Sequence, residues 1–276
     1  ARTGAGRRDA GGPRMSDITS VATIIFETIQ QQRALHPDRP VLIGVAGAQG
    51  SGKTTACKLL EMSNRPRFAH FSLDDVYWSK DERADIARLI HPLFVTRGPP
   101  GTHDLDLANA TIAALTRTSA DSETRLPMFD KGRDEPAPKS DWPVYRGRPE
   151  AILFDGWCLG ATAPEDGRPL NPVESIDSDG RWRNAQRVFL QDDYAPLFAR
   201  FDAIVYLKPP SWDVVRRWRG EQEAQLLGRA LTAEEGAKLD RFVMHYERIT
   251  RSMMAGGHVA DVVVELDEKR RVQRCG

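Results

Sequence analysis

Cysteine, charge imbalance and long apolar runs are what this 276-residue chain has little of, and each shortage removes a class of explanation. The three cysteines, Cys57, Cys158 and Cys275, are too few and too scattered for a disulfide framework or a CxxC metal site. Structural or incidental roles in a reducing cytosol fit them better. The 39 Lys and Arg balance 39 Asp and Glu, so no global field draws the chain to nucleic acid or to a membrane surface. Any anion site must be local. No apolar segment approaches the ~20 residues needed to span a bilayer, and no repeat of solenoid length is present. Residues 1–14 are rich in Arg and Gly and lack an apolar core, so they read as a leader or disordered arm and not as a secretory signal.

What is present is a phosphate-binding loop. Val41 to Ala46 is an apolar run of buried-strand type, and Gly47-Ala48-Gln49-Gly50-Ser51-Gly52-Lys53-Thr54 follows it with the pattern GxxxxGK[ST]. The glycines let backbone N–H groups turn around phosphate oxygens, Lys53 adds charge at the β- and γ-phosphates, and the Thr54 hydroxyl can hold a magnesium ion. The helix-forming run that starts near Gly52 and includes Thr55 points its positive end at the same anion. A nucleoside triphosphate such as ATP, with Mg2+, is the ligand this arrangement suits.

Around the loop, strands alternate with helices, which predicts an α/β fold with a mostly parallel sheet covered on both faces. Helical patterns span Ile18 to Leu35, Leu105 to Leu115, Trp212 to Leu227 and Thr232 to Met254; strands are expected at Phe68 to Leu73, Ala151 to Phe154, Ala203 to Leu207 and Ala260 to Leu266. Pro127 to Pro149 and Gly160 to Gly180 are irregular, with lids or binding loops as the functional reading and disorder as the alternative for the second.

Ligands of such sheets collect where strands end at their carboxyl ends. The second strand runs into Asp74 and Asp75, which predicts a carboxylate able to take a proton from an attacking hydroxyl; a polar turn or helix cap is the alternative for the pair. Ala151-Ile-Leu-Phe-Asp155 has the form of a Walker B strand, with Asp155 as a magnesium ligand opposite Thr54. Tyr77 and Trp78 are expected to pack the rim. GTPases should carry Asn-Lys-x-Asp and ABC-type ATPases Leu-Ser-Gly-Gly-Gln; neither motif occurs, whereas small-molecule kinases need neither.

Arg97-Gly-Pro-Pro-Gly-Thr-His-Asp-Leu105, Pro127-Met-Phe-Asp-Lys131 and Leu153-Phe-Asp-Gly-Trp-Cys-Leu-Gly160 occur in the order seen in D-glycerate 3-kinases of the plant and fungal type. The chain resembles that family from Val41 to Tyr246, and with it the wider group of phosphoribulokinase, uridine kinase and pantothenate kinase. The resemblance implies a three-layer P-loop NTPase fold, one kinase domain over residues 15–276, and a helical lid around 210–255. It implies Asp74 as general base, with Arg97, Thr102, His103, Asp104, Lys131 and Arg133 near the acceptor. A sugar acid offers a carboxylate to Arg or Lys and hydroxyls to His and Asp. Asp155 stands where the family usually has Glu, one methylene shorter. Within the lid, Arg216 and Arg219 share a helical face and can close on the phosphates; the ordinary alternative is the pair of i,i+4 contacts Arg217 to Glu221 and Arg219 to Glu223.

The sequence therefore points to an ATP-dependent kinase of a small polar metabolite such as D-glycerate, without nucleic-acid or membrane partners. A kinase of a nucleoside or pantothenate-like acceptor is one rival, and a nucleotide-binding regulatory protein without a substrate is another. A switch, however, has no hydroxyl to deprotonate, which leaves Asp74 unexplained.

Overall fold

The computed structural model describes residues 15–276. The leader reading of residues 1–14 falls outside them. A six-stranded sheet carries the fold. Its members are β1 (Val41–Gly47), β2 (Phe68–Ser72), β7 (Ala151–Gly156), β8 (Ala203–Lys208), β9 (Val262–Leu266) and β10 (Val272–Cys275), in the order β10-β9-β8-β1-β7-β2. The first five are parallel; β10 adds an antiparallel edge with an irregular register against β9. Short strands in between, β3 (Glu123–Arg125) with β6 (Val144–Arg146) and β4 (Phe129–Asp130) with β5 (Glu135–Pro136), form two small ribbons.

β1 is buried along its whole length because it pairs on both edges and is covered on both faces. Its alternation sorts the core: Val41, Ile43 and Val45 pack with α1 (Met15–Leu35) and α2 (Lys53–Ser63), while Leu42 and Ala46 face the opposite layer. That second layer draws on α4 (Leu105–Arg117), α6 (Ala195–Phe198) and α9 (Glu247–Met254), packed on Phe71, Ile152, Phe154 and Tyr206. Two covered faces make the three-layer α/β sandwich that the strand pattern predicts.

Departures from the sequence reading have local causes. The stretch 232–254 is one predicted helix but two observed ones, α8 (Ala233–Val243) and α9, divided by a tight turn at Met244–Tyr246 that tucks His245 and Tyr246 inward. Strand β10 and helices α3 (Lys80–Leu89) and α5 (Arg181–Phe189) carry too few apolar residues to announce themselves. The irregular segment 160–180 is tied down. Glu174 and Asp177 are fully buried, Glu174 pairs with Arg248 of α9 at 2.6 Å, and Asp177 accepts from the amides of Trp182 and Arg183 at the start of α5.

Candidate active site

The parallel register sets the site. Val45 of β1 and Ser72 of β2 both lie level with Asp155 of β7, so the phosphate loop, Asp155 and Asp74 emerge together at the carboxyl ends of three adjacent strands. Lys53 opens helix α2, whose first turn has no side-chain cap, and its ammonium makes no hydrogen bond or ion pair among the described residues. Its charge acts on both Asp74 and Asp155. The Ser51 hydroxyl and the Gln49 side-chain Oε1 are buried in the same loop without partners among the described residues. An unfilled hydroxyl donor, a free cation and an uncapped helix start are what a phosphate chain would satisfy. A cavity of about 110 Å³ lies against Gly50, Gly52, Lys53, Thr54, Thr55, Gln222, Gln225 and Arg270. A roomier cavity of about 630 Å³ lies elsewhere, among Ala161, Phe198, Phe201, Ile204 and Val259, and offers little for catalysis: its one carboxylate, Asp261, accepts the Ile204 amide. Chemistry, not volume, selects the phosphate-loop cleft.

Asp155 is fully buried and uses both oxygens: Oδ2 accepts from the Thr54 hydroxyl at 2.7 Å, and Oδ1 lies 2.7 Å from His70 Nε2. Burial opposes its charge, but the His70 contact and the Lys53 charge outweigh that and hold the carboxyl below its ordinary range. Thr54 and Asp155 thus offer two adjacent hard oxygens, a donor set that fits magnesium. His70 is the residue that sequence reading missed. It is a single imidazole in a strand of apolar character, and only the pairing of β2 with β7 shows what it touches. Cys57, read as structural or incidental, stands with His70 and Asp155 in one cluster whose ligand atoms lie within 4.8 Å of one another.

Asp74 follows β2 in a one-turn helix capped by Ser72 and Asp75. Asp75 takes the capping role, its carboxylate accepting the Ser72 amide, and burial together with neighbouring Asp155 and Asp74 raises it to about 6. Asp74 is left to face the cleft. Its Oδ1 accepts from the Tyr77 hydroxyl and its Oδ2 from Lys131 Nζ at 2.6 Å. Burial works against ionisation, yet the charges of Lys131 and Lys53 and these two hydrogen bonds hold Asp74 well below the usual carboxylate range. Tyr77 therefore packs the rim, as its sequence reading has it, and also orients the carboxylate. The Lys131 and Asp74 side chains keep 56% and 35% of their surface, so an incoming hydroxyl can displace this pair.

The remaining acceptor residues divide. Arg97 lies near enough for its charge to act on Lys131, but its guanidinium is paired with Asp134, which also binds the buried Arg83. Arg97 owes its position to Gly98: at φ 117°, a β-carbon there would come within 1.8 Å of the Tyr246 hydroxyl, which itself donates to the Arg97 carbonyl. Arg133 is exposed, and its side chain has no partner among the described residues. His103 is buried against Tyr77, the rings stacked at 4.6 Å. Thr102 and Asp104 are not brought to the cluster. The Thr102 hydroxyl closes its own turn between Pro99 and Gly98, and Asp104 caps α4 by accepting the Leu107 amide, because both side chains are needed to shape the loop that presents His103.

Helix α7 (Trp212–Leu227) lies over the phosphate loop, with Trp218 fully buried and its indole donating to the Glu268 carbonyl. The two candidate arginines face different ways. Arg216 pairs with Asp240 of α8, whereas Arg219, only 17% exposed, pairs with Glu223 and acts on Tyr246, the same ring that feels Asp74. Of the alternative pairings, the Arg217 to Glu221 contact does not form: Arg217 binds Glu268 and Glu221 binds Arg270, which also donates to the Gly50 carbonyl. Tertiary partners outcompete that i,i+4 pairing, while Arg219 to Glu223 does form.

No protein-family profile matches the sequence. The chain is 30% identical over 248 residues to "Uncharacterized kinase mug58" of Schizosaccharomyces pombe, an alignment covering 84% of this chain and 87% of that one. It is 27% identical over 273 residues to the chloroplastic D-glycerate 3-kinase of Arabidopsis thaliana, covering 89% of this chain but only 58% of that longer protein. Among solved structures, D-glycerate 3-kinase from Cryptococcus neoformans superposes with a TM-score of 0.71 at 23% identity, covering 94% of this chain and 98% of that one. That likeness establishes the fold, and no helix among the described residues is long and apolar enough to cross a membrane. With identity and coverage at this level and a phosphate loop in place, the chain belongs to the P-loop kinase family of Mug58 and D-glycerate 3-kinase.

Proposed function

We propose that this chain transfers the γ-phosphoryl group of ATP to a hydroxyl of D-glycerate, with magnesium. The observation that carries the reading is the Tyr77–Asp74–Lys131 group beside the phosphate loop, an oriented carboxylate on the rim where an acceptor would meet the triphosphate. The likeness to proteins named D-glycerate 3-kinase supports the acid as substrate. So does Lys131 on Asp74, with Arg97 near enough for its charge to act on Lys131.

In this reading the backbone from Gly47 to Thr55 and the Lys53 ammonium hold the phosphates, and Thr54 and Asp155 hold the magnesium. When bound, that ion neutralises charge on the β- and γ-phosphate oxygens. Asp74, ionised through neutral pH, accepts the proton of the attacking hydroxyl, and Tyr77 keeps its oxygens aimed. Lys131 leaves Asp74 for the acceptor's carboxylate, and Arg97 and Arg133 complete the charge. Arg219, on the site side of α7, stabilises the transferring group; Arg216, bound to α8, supports the lid instead. Residues 15–276 act as one kinase unit with 210–255 as its lid. Three unpaired cysteines suit the cytoplasm.

The deciding experiment measures ADP release with glycerate, glycerol, uridine and pantothenate in parallel. Glycerate should be turned over and glycerol poorly, because glycerol leaves the cations unpaired. Efficient use of a neutral alcohol or nucleoside, with none of glycerate, retires the acceptor and leaves the kinase.

A further inference from the structure

The hydrogen bonds around His103 can be counted to a single arrangement. Its Nδ1 lies 2.5 Å from the Tyr194 hydroxyl, and that hydroxyl also accepts the Gly101 amide at 3.1 Å. Both side chains are buried, His103 at 3% exposure and Tyr194 at 1%. Tyr194 has one hydrogen to give, and among the described residues the only acceptor in reach is Nδ1. If the imidazole donated instead, the Tyr194 hydrogen would be buried with no partner, a loss of about 1–3 kcal/mol. Nδ1 is therefore the bare nitrogen and Nε2 carries the proton. Nε2 is also the atom that is buried with no partner among the described residues. Burial lowers the pKa of His103 to about 3 despite the opposing Asp74 charge, so the ring stays neutral at physiological pH.

We infer that His103 is a neutral N–H donor for an oxygen of the acceptor, and that Tyr194 is a positioning residue that fixes its tautomer. The inference rests on reading the Asp74 cluster as the acceptor site. The imidazole is stacked on the ring whose hydroxyl orients Asp74, and its Nε2 is a buried donor that lacks an acceptor atom among the described residues. A hydroxyl or carboxylate oxygen beside the phosphorylated carbon satisfies it; an apolar or cationic group does not. His103 is then neither the base nor an ionic clamp. It selects for a second oxygen on the substrate, and Asp74 deprotonates the first.

Nitrogen-15 NMR of the ligand-free protein reads the tautomer directly, with His103→Gln identifying the resonance among the six histidines. Wild type should show the proton on Nε2, and Tyr194→Phe, which keeps the ring and removes the hydroxyl, should give a mixture. A proton on Nδ1 in wild type overturns the proposal. Kinetics with whichever acceptor the panel identifies supply the second arm. Tyr194→Phe should raise the acceptor KM roughly tenfold with ATP KM unchanged. His103→Leu should do at least as much, and His103→Gln, which keeps an amide donor, should recover part of it. An acceptor KM within twofold of wild type in His103→Leu overturns the donor role. The NMR arm involves no acceptor, so failure of glycerate as substrate leaves it standing and testable.

Discussion

At the residue scale, the two charges that flank the cleft should separate by their kinetics. Lys53→Ala weakens ATP binding and turnover together, because the ammonium faces phosphate in both ground and transition states. Asp74→Asn spares ATP affinity and lowers kcat on the order of 10²-fold or more, the usual worth of a positioned base. Steady-state kinetics of both variants check this, and near-wild-type turnover in Asp74→Asn removes the base from the mechanism. Lys131 adds a pH test. Burial by itself would raise Asp74, and the Lys131 charge is the foremost influence bringing it down. Lys131→Met should therefore raise the Asp74 pKa of the free enzyme and move the acid limb of the acceptor kcat/KM profile up, into the range of about pH 4 to 6. A limb that stays put shows that Lys131 does not set the charge of Asp74. Asp75 titrates the opposite way. Folding raises it from 3.8 to about 6, so as pH climbs through that window the unfolded chain releases a proton that the folded chain retains, and stability falls. Thermal melts without metal should find Asp75→Asn more stable than wild type at pH 8 and no different at pH 4.

At the element scale, α7 is fastened to the phosphate loop by Trp218. The indole is sandwiched by contacts of opposite kinds, with the Arg270 guanidinium 4.9 Å over its ring and the Glu268 carbonyl accepting its N–H. Trp218→Ala should cost about 3–5 kcal/mol in chemical denaturation and raise the ATP KM more than the acceptor KM, since the emptied space lies under the loop that cradles phosphate. Gly50→Ala approaches the same contact from the other side. A β-carbon there meets the Trp218 backbone at 2.8 Å, and φ is +74°, so loop and helix must part. Calorimetric titration with ATP should show that variant losing affinity even where it remains folded.

At the scale of the whole molecule, the irregular segment 160–180 behaves as a strap across α5 and α9. Its anchor is Glu174, nearly inaccessible, whose two carboxylate oxygens both accept from Arg248. Removing one partner of such a pair strands the other charge, at about 3–5 kcal/mol. Arg248→Met should release residues 165–177 to rapid hydrogen exchange while β1, β7 and β8 stay protected. Equal loss of protection in strap and sheet would mean that the segment opens only with global unfolding.

The phosphate loop, the parallel sheet and the positions of Asp74 and Asp155 were legible in the chain because each is written locally: a glycine pattern after an apolar strand, an alternation of strand and helix, a carboxylate where a strand stops. What the residues at those places do was decided by distant partners. Asp74 and Asp75 are neighbours of one chemical type, and only the Ser72 cap and the approach of Lys131, 57 positions later, assign one to structure and expose the other. Arg216 and Arg219 look equivalent on a helix until α8 claims the first. Arg217 to Glu221 satisfies the i,i+4 rule and still fails to form, since Arg270 brings Glu221 a partner from across the molecule. His70 and Tyr194 carried no signal at all, being a lone imidazole in an apolar strand and a single tyrosine after Gln191-Asp192-Asp193. Their partners Asp155 and His103 lie 85 and 91 residues away, and hydrogen bonds over such separations exist only once the sheet has set its register.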